Sequence, residues 1–124
     1  MMEATIAVPN AILFVLDPGN KDVSVPEYSP DEATAANATC VSIRTLAEVD
    51  GDVLVRIEHP RTAWTSNPAM RVFDGKIETP GKIIAIVTSL FERILETHVQ
   101  GCMTRISSSV NDPDAPSVVT LRVG

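Results

Sequence analysis

The sequence predicts an all-β fold, and three observations carry that expectation. Short β-branched runs show two-residue alternation, Asp-Gly pairs stand between such runs at Asp50-Gly51 and Asp74-Gly75, and prolines interrupt the segments that join them. The chain has 124 residues, 44% of them hydrophobic, which is enough to build one core and fits a single domain over residues 1–124.

In chain order, residues 5–8 and 11–16 are strand-like around Pro9-Asn10, and Asp17-Pro18-Gly19-Asn20 has the residue placement of a tight turn. Residues 21–39 form a long connection containing Pro26 and Pro30. Inside it, Ser29, Pro30 and Glu32 stand at N-cap, first-turn and capping-box positions, so a short helix is expected to start there.

Residues 40–43 and 53–57 read as two strands of a β-hairpin, joined through residues 48–52. Val53, Val55 and Ile57 share one face of the second strand, and Leu54, Arg56 and Glu58 the other. After a loop over residues 60–68, residues 69–73 and 76–78 read as strands about an Asp74-Gly75 turn. Residues 103–110 and 118–123 make a terminal hairpin around a loop with Pro113 and Pro116.

Residues 79–101 are ambiguous. Ile83, Ile84, Val87, Leu90, Phe91, Ile94 and Leu95 fall near one face of a 3.6-residue period, with Thr79-Pro80 as a start signal and Gly101 as a stop. By periodicity this is an amphipathic helix over residues 80–100, which would make the fold α+β. Against it, residues 83–88 are β-branched except for Ala85, and residues 89–92 could turn the chain into a second strand.

Composition excludes several functions. Sixteen acidic residues against ten basic ones disfavour nucleic-acid binding, which needs clustered Lys and Arg. The richest apolar window, residues 83–99, is broken by Glu92, Arg93 and Glu96, so no membrane span is expected. The N-terminus has no basic region ahead of an apolar stretch, and a cytoplasmic protein is expected. Cys40 and Cys102 read as reduced, buried thiols, although spacing alone leaves a bridge open.

No chemistry-bearing constellation emerges. His59 and His98 are far apart, and neither has a Cys at zinc-site spacing, so no metal site is expected. Ser107, Ser108 and Ser109 lie in a strand without a nucleophile elbow, and the six glycines match no phosphate-binding loop. No catalytic residue and no cofactor are expected. The pairs Asp50/Asp52 and Asp112/Asp114 fit turns, where Asp caps neighbouring amides.

The charge is unevenly spread. Residues 1–60 carry ten acidic and three basic side chains, whereas residues 61–124 carry six and seven. If the 21–39 loop and the 48–52 turn lie on one side, Asp22, Glu27, Asp31, Glu32, Glu48, Asp50 and Asp52 form a negative surface able to steer a basic partner. Tyr28 and Trp64, in loops, either cover a core edge or anchor that partner.

The order of features from Ile12 to Val110 resembles the competence protein J family, which includes a bacterial inhibitor of a DNA-entry nuclease. The resemblance rests on Ile12-Leu13-Phe14-Val15-Leu16, Glu27-Tyr28-Ser29 with Asp31-Glu32, Val41-Ser42-Ile43 and its partner at residues 53–57. It continues through Ala69-Met70-Arg71-Val72-Phe73, Gly81 ahead of residues 83–88, and Gly101 closing residues 93–99. Tyr28 stands where the family more often has Trp, and Cys102 and Met103 where it has an aromatic.

What the resemblance implies is an antiparallel β-sandwich of about seven to eight strands, in which residues 79–101 form two strands rather than a helix. It further implies a non-enzymatic binding protein whose partner is a basic nuclease. Glu27, Tyr28, Asp31, Glu32, Glu48, Asp50, Asp52 and Trp64 are the partner-binding candidates. The alternative is a small-ligand-binding or structural subunit that pairs as a homodimer.

Overall fold

The computed structural model of the protein describes residues 2–27, 32–59 and 70–124. They form a β-sandwich of two five-stranded sheets, without an α-helix among them. The strands are β1 (Met2–Ile6), β2 (Ile12–Leu16), β3 (Thr34–Ala36), β4 (Cys40–Arg44), β5 (Val53–Glu58), β6 (Arg71–Glu78), β7 (Ile83–Thr88), β8 (Arg93–His98), β9 (Met103–Val110) and β10 (Val118–Val123). One sheet has the order β1-β5-β10-β9-β6 and the other β3-β4-β2-β7-β8. All pairs are antiparallel except β5 with β10. The all-β sandwich is therefore observed, with ten strands rather than seven or eight.

The main core lies between the sheets. Val53, Val55 and Ile57 from β5, Val119, Leu121 and Val123 from β10, and Ile106 from β9 face Leu13, Val15, Val41, Ile43, Ile84 and Ile86 from the other sheet. A second apolar cluster lies on the outer face of that other sheet, where Phe14, Leu16, Cys40, Ala85 and Val87 are covered in part by Val23. Strands β2, β4 and β7 thus bury both faces.

That double burial explains the overturned helix. A strand apolar on both faces reads as a continuous hydrophobic run, which periodicity cannot separate from a helix. Residues 83–98 are instead the β7–β8 hairpin, paired from Ile83 opposite His98 to Val87 opposite Arg93, with a register shift between Ile86 and Val87. The Thr79 hydroxyl donates to the Gly101 carbonyl at 2.7 Å, so the ends of the supposed helix touch. A helix of that length would hold them about 30 Å apart.

Two turn assignments are also corrected. Cys40–Arg44 and Val53–Glu58 are not a hairpin but belong to opposite sheets. Eight residues separate them, too many for a two-residue Asp-Gly turn. Thr45 N–H donates to the Ala11 carbonyl and Leu46 N–H to that of Pro116, which draws the connection across the end of the sandwich. Gly51 at φ 139°, ψ −173° serves that arch. Asp74-Gly75 is not a turn either, because β6 runs unbroken through both, with a bulge between Arg71 and Phe73. Gly75 leaves room for the Phe73 ring, which a Cβ would approach to 2.9 Å.

The terminal hairpin is present as β9 and β10. Of the helix expected near Ser29, residues 29–31 lie outside the described residues, and Thr34–Ala36 that follow are strand.

Candidate functional site

Strand directions place the connections at two ends. One end gathers the 3-10 turn Pro9–Ala11, the β4–β5 arch with its 3-10 turn Glu48–Asp50, the β7–β8 turn and the β9–β10 loop. The Asn10 side-chain amide donates to Ser89 Oγ at 2.7 Å, and the Pro9–Ala11 turn packs on Glu48–Asp50, so these connections are mutually braced. Arg44 donates to the Pro113 carbonyl at 3.1 Å, which adds the β9–β10 loop.

This end is anionic. Glu48, Asp50, Asp52, Glu92, Asp112 and Asp114 are all exposed in its connections. Asp50 and Asp114 line one depression of about 260 Å³, with Arg44 and Leu46 between them. Glu32 joins this end, because the carbonyl of the next residue, Ala33, accepts from Arg44 N–H. Asp112 also accepts from the Asp114 amide at 2.9 Å, the turn-capping use expected from sequence.

Of the sequence-derived candidates, Glu32, Glu48, Asp50 and Asp52 are brought together here, all exposed. Glu27 is exposed but follows the run from Ser24, which Thr39 holds at the opposite end. Asp22 lies in the turn after β2 at that same opposite end. Tyr28, Asp31 and Trp64 lie outside the described residues. Sequence reading offered a turn at residues 89–92 but did not single out Leu90, Phe91 or Glu92, because their exposure and their place beside the β4–β5 arch depend on the fold.

Arg44 and Arg93 share the anionic end, and most of the other described cations lie elsewhere. Register places Arg56, Arg71, Lys76, Arg105 and Arg122 on the outer face of the β1-β5-β10-β9-β6 sheet, with Arg122 opposite Glu58. Arg105 makes two hydrogen bonds to Asp74, at 3.1 and 2.9 Å, and Arg71 a third at 3.4 Å. The Arg105 bonds, with attraction from Arg105 and Arg71, hold the Asp74 carboxyl below its ordinary range, and the bond and attraction of Asp74 raise Arg105. At the end opposite the carboxylates, His59, Lys76, His98 and Arg105 line a depression of about 790 Å³. Lys76 and Arg105 are the cations of that depression, while exposed Asp22 and Glu78 lie at the same end.

The Thr97 hydroxyl lies 3.4 Å from His59 Nε2, on the β8 strand beside the β5 exit. Ser107, Ser108 and Ser109 are in the interior of β9, with Ser108 facing the core. No group of three or more His, Cys, Asp or Glu among the described residues could hold a metal ion. Both cysteines are free. Cys40 is buried as expected, whereas Cys102 is exposed in the β8–β9 turn and not buried. Burial pushes the Cys40 thiol up to about 12. No helix among the described residues is long and apolar enough to cross a membrane.

No family model and no curated protein matches the sequence. The fold is similar to the crystal structure of ComJ, inhibitor of the DNA degrading activity of NucA, from Bacillus subtilis. The similarity covers 99% of this chain and 94% of that one, with a TM-score of 0.69 and 11% sequence identity. The resemblance drawn from residues 12–110 is thus matched at the level of the fold.

Proposed function

We propose that the protein is a non-enzymatic protein-binding module that inhibits a basic nuclease by presenting its anionic end to the nuclease's substrate groove. The observation that carries this reading is the convergence of Glu32, Glu48, Asp50, Asp52, Glu92, Asp112 and Asp114 on connections braced against one another. A groove that accepts DNA is positively charged, and a rigid negative surface competes for it. The likeness to an inhibitor of a DNA-degrading enzyme supports the same reading.

The rigidity matters as much as the sign. Carboxylates fixed on short turns lose little conformational freedom on docking, whereas the same charges on a floppy tail lose more. Rim charges of this kind act mainly on the association rate and make it fall with salt.

The test is capture on the immobilised protein from an extract of the cells that make it, eluted in a salt gradient and assayed for DNA degradation. A DNA-degrading activity that is retained and then released by salt is the expected result. Self-association with no nuclease retained contradicts it and favours the homodimeric subunit.

A further inference from the structure

We infer that the Leu90-Phe91 tip of the β7–β8 hairpin, with Val49 across the Pro9–Ala11 turn, is the apolar anchor by which the anionic end docks a basic protein. This rests on the reading above and says which side chains hold the partner once charge has steered it.

The first observation is backbone strain. In the connection between Thr88 and Glu92, Phe91 N–H donates to the Thr88 carbonyl at 2.9 Å and Thr88 N–H to that of Glu92 at 3.0 Å. This is a three-residue hairpin loop whose last position is left-handed, and Phe91 fills it at φ 60°. Glycine would hold that position without the Cβ clash that an aromatic residue brings. Asn10 and Ala11, in the turn braced against this loop, are left-handed too, at φ 58° and 57°. Of the four such non-glycine residues described, only Lys82 is at the other end. Strain gathered in one place on an otherwise regular sandwich marks a conformation kept for use.

Exposure is the second observation. Val49 is 90% exposed, Leu90 63% and Phe91 59%, the three most exposed large apolar side chains among the described residues. The Phe91 ring stacks on Phe14, with centroids 6.2 Å apart and planes at 22°. That contact turns the ring towards the outer apolar cluster, where Phe91 lines a depression with Leu16, Val23 and Val87, and still leaves most of the residue in solvent. An immobilised aromatic is a low-entropy anchor.

Charge decides the occupant. Glu92 follows Phe91 directly, Glu48 and Asp50 flank Val49, and the Pro9–Ala11 turn, bonded to Ser89 through Asn10, also packs on Glu48–Asp50. Apolar centres flanked mainly by carboxylates, with Arg93 beside Phe91 engaged by Glu96 at 3.1 Å, fit a partner with an apolar hollow in a basic surface. A second copy joined two-fold through this end would set carboxylates against carboxylates.

The test titrates the purified protein into an extract of the cells that make it and reads the degradation of linear duplex DNA. Phe91→Gly removes the ring and suits the left-handed backbone, and Leu90→Ser changes an exposed side chain, so both are expected to fold. A Glu48→Gln/Asp50→Asn/Asp52→Asn variant tests the charges. Each tip variant is expected to raise the half-inhibitory concentration at least about tenfold at low and at high salt, and the charge variant mainly at low salt. Wild-type inhibition left unchanged by both tip variants, with the charge variant weakened, overturns the anchor and spares the electrostatic reading. Wild type without effect on the DNA-degrading activity overturns both. A dimer that dissociates on Phe91→Gly reassigns the tip to self-association and likewise overturns the proposal.

Discussion

Asp17 Oδ2 accepts the backbone N–H of Gly81 at 2.6 Å, tying the turn after β2 to the turn before β7. Its other oxygen accepts from Gly19 N–H at 2.7 Å, and the carboxylate is fully buried. A Cβ on Gly81 would sit 2.7 Å from Asp17 Oδ1 and 2.9 Å from the Gly19 Cα, so no other residue fits without a shift. Asp17→Asn presents an N–H to a backbone donor. It and Gly81→Ala are each expected to lower unfolding free energy by about 1–3 kcal/mol, read from denaturant melts. Inhibition per folded molecule should be unchanged, because this contact lies at the end opposite the carboxylates.

Lys82 is exposed and left-handed at φ 57°. Lys82→Gly is expected to stabilise the protein by about 0.5–1 kcal/mol, relief of the Cβ clash outweighing the added freedom of the unfolded chain. Phe91→Gly should gain less, because it also gives up the Phe14 stack. A denaturant midpoint that falls for Lys82→Gly would contradict this account of the turn.

The two cysteines should differ sharply in reactivity. Cys40 is buried and its thiol is pushed up to about 12, whereas Cys102 is exposed. A thiol reagent at pH 8 is expected to modify one equivalent in the folded protein and two after denaturation. The Cys40 shift also sets a pH window. Its stabilising effect is complete below the ordinary value of 9.0 and is lost as pH rises towards 12, since only the unfolded chain ionises readily there. Cys40→Val should flatten that alkaline decline.

Asp74 predicts the opposite slope. Hydrogen bonds from Arg105, with further attraction from Arg105 and Arg71, lower its carboxyl from 3.8. Its contribution is therefore present above that value and lost as pH falls below it. Asp74→Asn should reduce the stability lost on acidification, and added salt should shrink the difference, because the group is solvent-facing. An unaltered acid limb at low salt would show that the pair does nothing measurable.

Much of this was legible in the sequence. The alternation of Val53, Val55 and Ile57 gave the inward face of β5, and the proline-broken loop before residue 118 gave the β9–β10 hairpin. The errors share one cause, which is that local signals do not record which sheet a strand joins. Asp50-Gly51 and Asp74-Gly75 carry hairpin chemistry, yet one pair sits in an arch between sheets and the other within β6. Residues 83–88 looked helical because Ile84 and Ile86 feed the main core while Ala85 and Val87 feed the outer cluster. The acidic candidates Glu48, Asp50 and Asp52 were readable as charges. Their meeting with Asp114 and Glu92 required the fold, and so did the exposure of Phe91.

The most direct test is amide hydrogen exchange on the protein alone and saturated with the nuclease it captures. Protection confined to residues 9–11, 47–52, 89–92 and 112–115 is the expected footprint. Protection centred on the arginine-bearing face of β6 and β9, or on the turns around Gly81 and His98, would contradict docking through the anionic end.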